Sequence, residues 1–452
     1  MQSEKDSYKN SGNSKIDHAL ISHGAKKYLS NAFLSSIEQV LRLVVSFFIS
    51  ILIIRQLGPS DFGLYAYVTS YVAIFSILAR LGLNNLIVKE LVEQNKRVSE
   101  IMNTVYTLRV LGALPIIFLM VAVSYFIEDD INTVILVCIT SIGLIFQSAE
   151  IVDCFFQSKV IAKPVVVLKI AQLVISSLTK LYLLTIDAGV DAFLYLVLFD
   201  VIILSIFYFV SYRKQTNQNL SFNFNWKYFR QLLKLSWPIA ISNLAMIAYF
   251  KMDMIMLFSM VDNEAVGIYA AASRISEAWY FIPTILTTTL FPAILHARSQ
   301  SILDYKKKIR GLFSLLIWMG ITIAILVTLM ADWIINTLYG ESFEEASKVL
   351  MIHIWVGIFI ALGMAASRWF IAENLQHLFA LRTWSGLVVN IFLNMVLIPK
   401  FSIIGAAIAT LISVIFANVI SYTFNKKLWP IFNLTMVSFN PWHLVKSLKE
   451  LR

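Results

Sequence analysis

The feature that most constrains this chain is a series of apolar runs, each about 20 residues long. A helix of about 20 apolar residues crosses the hydrocarbon core of a bilayer. Twelve such runs occur, near residues 33–54, 62–84, 105–127, 131–155, 164–186, 191–211, 237–260, 265–295, 311–335, 347–371, 378–398 and 403–424. Only 14% of the residues are charged, against about a quarter in soluble domains. The sequence therefore predicts an all-α integral membrane protein with twelve transmembrane helices.

The basic residues of the loops predict the orientation of the chain. If both termini face the cytoplasm, the cytoplasmic segments carry 26 Lys and Arg residues, and the outer loops carry only Arg55, Lys348 and Lys400. Cytoplasmic loops of membrane proteins carry such an excess. We therefore expect a multi-pass protein of the bacterial inner membrane with both termini in the cytoplasm. The net charge of +10 is then a topology signal, and no nucleic-acid partner is expected.

A short internal sequence repeat predicts two related halves. Residues 62–66 (FGLYA) open the second run, and residues 266–270 (VGIYA) open the eighth. A shift of six spans leaves both halves pointing the same way, as in transporters built from parallel repeats. The predicted fold is two six-helix lobes around a central cavity. Its segments are a cytoplasmic N-terminal arm (1–30), an N-lobe with helices 1–6 (31–212), a cytoplasmic linker (213–236), a C-lobe with helices 7–12 (237–425) and a cytoplasmic C-terminal tail (426–452).

The loops and motifs disfavour an enzyme. No predicted loop exceeds about two dozen residues, which is too short for a catalytic domain. The sequence contains no phosphate-binding G-x-x-x-x-G-K-[ST] loop, no Cys/His cluster with zinc spacing and no arguable catalytic triad. We expect no catalytic residue, metal or cofactor. A membrane-embedded sugar polymerase or ligase would be expected to have a large outer loop bearing catalytic residues, and none is present.

Basic side chains inside the apolar runs are the candidate functional residues. Arg80, Arg109 and Arg368 lie near the cytoplasmic ends of their runs, so we expect them to extend to the lipid headgroups. Five others lie deeper: Arg42, Lys169, Lys180, Lys251 and Arg274. A deep cation facing lipid costs roughly 2.5–3.5 kcal/mol. These five are therefore expected to face the protein interior or a wet cavity.

Acidic residues of the same runs are their candidate partners: Glu38, Asp200, Asp253 and Glu277. Glu38 shares a helix face with Arg42, and Glu277 shares one with Arg274. Two interpretations are open. The charges form ion pairs that lock helix packing, or the cations line a vestibule for an anionic headgroup. The second has a physical motive, because a diphosphate stripped of water cannot cross hydrocarbon and fixed cations offset that cost.

Four segments resemble the motifs of the Wzx-type polysaccharide flippases, in the multidrug/oligosaccharidyl-lipid/polysaccharide exporter superfamily. They are residues 55–65 (RQLGPSDFGLY), 251–253 (KMD), 265–274 (AVGIYAAASR), and Asn390, Asn394 and 397–399 (LIP) through 405–410 (GAAIAT). The resemblance covers residues 27–425, with the four segments in the same order as in that family. Each segment consists of common residues, so the resemblance depends on their order and spacing.

This resemblance implies two six-helix lobes around a cationic cavity that opens to each side in turn. Family members move undecaprenyl-diphosphate-linked oligosaccharide units, for O-antigen, capsule or another exopolysaccharide, from the cytoplasmic to the outer leaflet. The implied partners are this lipid-linked oligosaccharide, membrane lipids, a polysaccharide polymerase and a chain-length regulator. Coupling to a proton or other ion gradient is implied without identifying the ion. The alternative is a cation-coupled multidrug or metabolite exporter of the same superfamily, whose cavity should be acidic or apolar.

Overall fold

The chain folds into helices. The computed structural model describes residues 3–80, 82–94, 97–223 and 225–442, and no strand occurs in these ranges. Helices satisfy every backbone polar group within the segment, which lipid requires. Ten segments of the described chain are long and apolar enough to cross a membrane. Residues 1–2 of the predicted arm and 443–452 of the predicted tail lie outside the described residues.

The first half of the chain contains α1 (Ser3–Arg80), α2 (Asn84–Glu93), α3 (Val98–Ile127), α4 (Ile131–Gln147), α5 (Ile151–Ser158), α6 (Lys163–Thr185) and α7 (Val190–Thr216). A 3₁₀ turn, Ser148–Glu150, joins α4 to α5, and the three together contain the fourth predicted span. The Asp130 side chain caps α4 by accepting from the backbone N–H groups of Asn132 and Thr133. This acidic residue of a predicted outer loop therefore has a structural role.

The second half contains α8 (Trp226–Met260), α9 (Asn263–Glu277), α10 (Phe281–Gln300), α11 (Ile302–Leu329), α12 (Ala331–Leu338), α13 (Ala346–His353), α14 (Val356–Ala372), α15 (Gln376–Asn418) and α16 (Trp429–Ser438). The Asp262 side chain caps α9. A 3₁₀ turn, Ala278–Tyr280, separates α9 from α10. It lies just before Pro283, whose missing backbone N–H leaves the helix one hydrogen bond short at this point.

Two helices are long and sharply kinked. The apolar part of α1, Phe33–Arg80, has 48 residues, and α15 continues into a 49-residue segment, Gln376–Phe424. The kink in α1 lies at Gly58, with φ 70°, a conformation that glycine adopts without steric cost. The kink in α15 lies at Ser402, with φ 49°. Each segment contains two of the predicted apolar runs joined by a kink instead of a loop.

Several predicted boundaries need correction. The ninth predicted span, 311–335, is interrupted because α11 ends at Leu329 and residues 331–335 belong to α12. Helices α7 and α8 extend into the linker predicted at 213–236, and among its described residues only 217–223 and 225 lie outside an α-helix. In the predicted tail, α16 packs against α11 and buries Ile431 completely. Hydropathy detects apolar runs long enough to cross a bilayer, whereas a helix continues beyond such a run as far as packing supports it.

The helix α1 connects the two halves. It packs against α3, α4, α6 and α7 of the first half, and against α8 and α9 of the second. Within the second half, α15 packs against α8 and α14, and α11 packs against α10 and α14. The largest cluster of buried apolar residues runs through both halves around α1, α8 and α9. This arrangement places the part of α1 after Gly58 at the centre of the molecule.

Candidate functional site

The two repeated segments, residues 62–66 and 266–270, contact each other in the structure. A Cβ atom on Gly63 would lie 1.7 Å from the backbone oxygen of Asn263, and one on Gly267 would lie 1.9 Å from the backbone oxygen of Pro59. The contact is reciprocal, because each glycine also lies against the backbone nitrogen of the other. Such close approach of two helix backbones requires the absence of a side chain. We call these four residues the glycine contact.

Aromatic packing extends the contact one turn further. The rings of Tyr67 and Phe258 stack with centroids 3.6 Å apart, and Ser70 Oγ lies 3.0 Å from Met254 Sδ. The Tyr67 hydroxyl donates a hydrogen bond to Glu128, the residue that follows α3. Burial raises the pKa of the Glu128 carboxyl above its ordinary value. The two halves are therefore closed against each other at this end.

A polar cavity lies beside this closure, between α1 and the second half. Its larger part, about 290 Å³, is lined by residues of α1, α8 and α9, among them Thr69, Ser70, Lys251, Ser273, Arg274 and Glu277. A smaller part, about 110 Å³, extends towards α6 and is lined by Ser46, Ser50, Ser177, Lys180 and Arg274. Phe62, Tyr65 and Arg274 line both parts. We call the two parts together the interface cavity.

Two of the predicted cations have no ion-pair partner in the interface cavity. Lys251 and Arg274 are half-buried, and neither forms an ion pair or hydrogen bond with any residue whose side chain the structure describes. Glu277, the neighbour suggested by helical spacing, lines the same cavity without pairing with Arg274. The walls therefore present fixed positive charge with unused donors, which is the arrangement that binds an anion.

The third cation of the interface cavity is neutralised. The Lys180 ammonium lies 3.4 Å from the carboxylate of Asp200. Ser176 bridges them, since its hydroxyl donates to Asp200 at 2.7 Å and accepts from Lys180 at 2.9 Å. The structure thus brings Lys180, Lys251 and Arg274 together around one cavity.

The other two predicted cations lie elsewhere in the first half. Arg42 donates to Glu38 at 2.7 Å and to two acceptors on α6, Gln172 Oε1 and the Lys169 backbone oxygen. The Lys169 ammonium lies 2.7 Å from Asp153, a carboxylate that the sequence analysis missed. Glu38, Asp153 and Lys169 line a separate cavity of about 410 Å³ between α1, α5 and α6. Arg42 and Lys169 thus show the paired geometry of the structural interpretation.

The remaining predicted acid, Asp253, lies in a cluster of neutral donors. The residue is only 3% exposed. It accepts hydrogen bonds from the side chains of Tyr269 (2.6 Å), Asn394 (2.6 Å), Asn390 (3.1 Å) and Thr410. No described cation pairs with it, and Asn394 Oδ1 is buried without a donor among the described residues. Three helices, α8, α9 and α15, thus enclose a single negative charge.

The expectation that Arg109 extends to the headgroups is wrong. Its side chain is 1% exposed and donates to Asn84 Oδ1 at 2.6 Å. Arg80, whose side chain is 33% exposed, differs from Arg109: it donates to Gln147 and forms an ion pair of 3.2 Å with Glu150. The short helices α2 and α5 cover this end of the first half. Hydropathy treats α2 as a loop and α5 as the end of the fourth span, so it could not reveal that they cover Arg109.

Arg382 is a buried cation that was counted among the 26 Lys and Arg residues of the cytoplasmic segments. It lies in α15 and is only 8% exposed. Its guanidinium donates to the Tyr422 hydroxyl at 2.9 Å and lies 4.6 Å from the centre of the Phe379 ring. The eleventh apolar run begins at residue 378, so Arg382 lies within its first turns. Counting run positions, and not only loop charge, would have added it to the deep cations.

Comparison with known proteins gives consistent results. Residues 28–298 match the family model described as polysaccharide biosynthesis protein. The chain is 27% identical over 409 residues to the probable flippase AglR of Haloferax volcanii, covering 84% of this chain and 80% of that protein. It is 22% identical to the capsular polysaccharide biosynthesis protein CapF of Staphylococcus aureus, covering 87% of this chain and 98% of CapF.

A solved structure shows the same fold. The lipid II flippase MurJ in an inward closed conformation aligns with a TM-score of 0.67 at 17% identity. The alignment covers 93% of this chain and 96% of that structure. The overall helical architecture described above is therefore shared with that structure.

Proposed function

The chain belongs to the polysaccharide biosynthesis protein family, and from this premise we propose that it is a flippase for a lipid-linked oligosaccharide. The substrate would be an undecaprenyl-diphosphate-linked repeat unit of O-antigen, capsule or another exopolysaccharide. It would move from the cytoplasmic to the outer leaflet of the bacterial inner membrane by alternating access. The observation that carries the proposal is the pair of unpaired cations, Lys251 and Arg274, between the two halves.

The proposed topology has twelve crossings, with both termini in the cytoplasm. A helix rises 1.5 Å per residue, so each 48- or 49-residue kinked segment extends about 72 Å, more than twice the roughly 30 Å hydrocarbon core. Two crossings in each of these segments and one in each of the other eight give twelve. The glycine contact would then lie at the outer face, and the two lobes would be residues 31–212 and 237–425.

The proposed transport cycle begins with the outer face closed by the glycine contact. The diphosphate enters the interface cavity from the cytoplasmic side, where Lys251 and Arg274 replace part of its hydration. The lipid chain stays in the bilayer beside the protein. The lobes also touch at the opposite end, where Gly82 lies against Ala240. We place the rocking axis along this contact between α8 and the end of α1.

Ion coupling, as the second part of the proposal, is assigned to Asp253. Asp253 is a buried carboxylate with no cationic partner among the described residues, and the hydroxyl oxygens of Tyr269 and Thr410 lie beside it, so its negative charge is available to a coupling ion. Glu277 and Met254 line both the interface cavity and the pocket that contains Asp253. Binding of an ion at Asp253 would therefore change the side-chain packing next to the bound substrate.

Substituting Asp253→Asn is expected to remove the dependence of transport on an ion gradient. Asparagine keeps the size of the side chain but removes the negative charge that would hold the coupling ion. We expect surface polysaccharide to fall at least tenfold and the remainder to be insensitive to protonophores and sodium ionophores. Tyr249→Phe is the matched control, because the Tyr249 hydroxyl binds Ser413 and not Asp253. A variant with unchanged ionophore sensitivity would place the coupling group elsewhere.

Deletion of the gene in its host tests the function itself. A flippase deletion should accumulate lipid-linked oligosaccharide in the cytoplasmic leaflet and lose surface polysaccharide, with restoration by the plasmid-borne gene. The alternative, a cation-coupled exporter, predicts normal polysaccharide and increased sensitivity to cationic dyes. That second outcome would overturn the proposed function.

A further inference from the structure

Another cavity with a cation in its wall lies inside the second half of the molecule, away from the glycine contact. It has a volume of about 200 Å³ and is bounded by α8, α14 and both parts of α15. Most of its lining is apolar, including Met246, Phe250, Ile360, Met364 and Phe379. Arg382 is the charged residue in its wall. Met246, 40% exposed, lies between the cavity and the outside.

The guanidinium of Arg382 has fewer acceptors than the other paired arginines. Arg42 has a carboxylate and two further acceptors, and Arg298 has Glu373 together with the backbone oxygen of Ala372. Arg382 has the Tyr422 hydroxyl, and its Nε is buried without an acceptor among the described residues. A buried charge left uncompensated is costly, so a negative partner supplied from outside would be stabilising.

The aromatic neighbours of Arg382 do not replace a negatively charged partner. Phe379 and Phe370 lie 4.6 Å and 5.5 Å from the guanidinium carbon and contribute cation–π attraction. Such contacts are worth about 0.5–2 kcal/mol, whereas a buried ion without a partner costs several kcal/mol. Arg109 is similarly short of acceptors, but it lines none of the cavities described here. Arg382 combines an unsatisfied charge with an open space beside it.

We propose that this cavity binds an anionic amphiphile, with a phosphate or carboxylate on Arg382 and a short apolar segment among the surrounding side chains. An apolar cavity of roughly 150 Å³ accommodates benzene. The volume here therefore fits an apolar segment of about one isoprene unit or a few methylene groups. A free inorganic anion would leave the apolar walls unused, and a neutral lipid would leave Arg382 unpaired.

Two lipids carry this chemistry, and the site does not require the proposed transport function. One is a bulk anionic phospholipid. The other is the polyprenyl phosphate end of a carrier lipid, which would make the cavity a docking point outside the interface cavity. Tyr249, Phe250 and Ile360 line both this cavity and the narrow pocket around Asp253. A lipid bound at Arg382 would therefore change the packing next to the buried carboxylate of Asp253.

The test measures lipid binding to the purified full-length protein by native mass spectrometry. The ligands are dioctanoyl phosphatidylglycerol, undecaprenyl phosphate, dioctanoyl phosphatidylcholine as the neutral control and inorganic phosphate. We expect Arg382→Gln to weaken binding of both anionic lipids at least tenfold and to leave phosphatidylcholine binding unchanged. Tighter binding of undecaprenyl phosphate than of phosphatidylglycerol would identify the carrier lipid as the source, and equal binding would identify bulk phospholipid.

Two further variants separate the contribution of the Arg382 charge from that of the cavity volume. Thr383→Phe adds volume to the cavity lining and keeps Arg382, and it should weaken anionic lipid binding to a similar extent. Arg368→Gln is the matched control, because Arg368 also has an unpartnered Nε and stacks on an aromatic ring, Phe291, but does not line this cavity. It should bind within twofold of the parent. Equal lipid binding by the parent and Arg382→Gln, or displacement of lipid by inorganic phosphate alone, would overturn the proposal.

Discussion

Replacing Arg274 by alanine is expected to abolish surface polysaccharide, with transport reduced about 100-fold. A hydrogen bond between charged groups contributes about 1.5–3 kcal/mol, and 3 kcal/mol corresponds to a factor of more than 100. Arg274 lines both parts of the interface cavity and has no ion-pair partner among the described residues. Its full donor set is therefore available to a diphosphate. Lys251→Ala should have a similar effect, because Lys251 is unpaired in the same cavity.

The planar guanidinium of Arg274 predicts a graded loss of transport between Arg274→Lys and Arg274→Ala. Arg274→Lys keeps the charge but loses the paired donors that match a phosphate, so we expect a loss of about tenfold. The measurement is surface polysaccharide in a deletion strain carrying each variant, with the membrane level of the protein determined in parallel. Arg298→Gln is the control, since Arg298 is paired with Glu373 and lies outside the interface cavity. Normal polysaccharide in both Arg274→Ala and Lys251→Ala would refute the site.

Replacing Gly267 by alanine is expected to prevent closure at the glycine contact and to reduce transport by up to about 100-fold. The added Cβ would lie 1.9 Å from a backbone oxygen, and no rotamer change can relieve a backbone overlap. Overpacking costs typically about 1–3 kcal/mol, and 3 kcal/mol moves a two-state equilibrium by about 100-fold. In the proposed transport cycle only the outward-closed state contains this contact, so the substitution should shift the population towards the state that is open at this end. Gly63→Ala should behave in the same way.

Thiol labelling measures this shift directly. Ser70 is 3% exposed at the closed interface, so a cysteine there reports opening. In a background with Cys138 and Cys154 replaced by alanine, an impermeant maleimide should label Ser70→Cys slowly in the parent and rapidly with Gly267→Ala. Gly112→Ala is the matched control, because nothing lies within 4 Å of its added Cβ. Equal labelling rates in all three backgrounds would show that the glycine contact does not control opening.

The interface cavity was only partly predictable from sequence. Apolar runs identify deep cations by the cost of placing charge in lipid, and Lys180, Lys251 and Arg274 were found in this way. Which of them is already neutralised depends on partners distant along the chain, such as Asp200 for Lys180 and Asp153 for Lys169. Such pairs connect different helices, and periodicity within one helix contains no information about them. The same limitation explains why Arg109 was expected at the headgroups.

The internal sequence repeat was more informative about the contact between the halves than its five-residue length suggested. Residues 62–66 and 266–270 indicated related halves, and the structure places these segments in contact through Gly63 and Gly267. Small residues repeated at equivalent positions of two halves are suited to pack where the halves meet, since close approach there requires the absence of a side chain. The sequence showed the repetition, but the contact between its copies became evident only in three dimensions.

The amino-acid sequence by itself determined that this protein is helical and lies in a membrane, because solvation in lipid acts on each residue locally and leaves a pattern along the chain. It also determined the family, through short motifs in a fixed order. The tertiary structure alone decided which charges are free, where Asp253 and Arg382 are enclosed, and where the halves close. Charge pairing and cavity shape arise between helices that are far apart in sequence, so only their packing determines them.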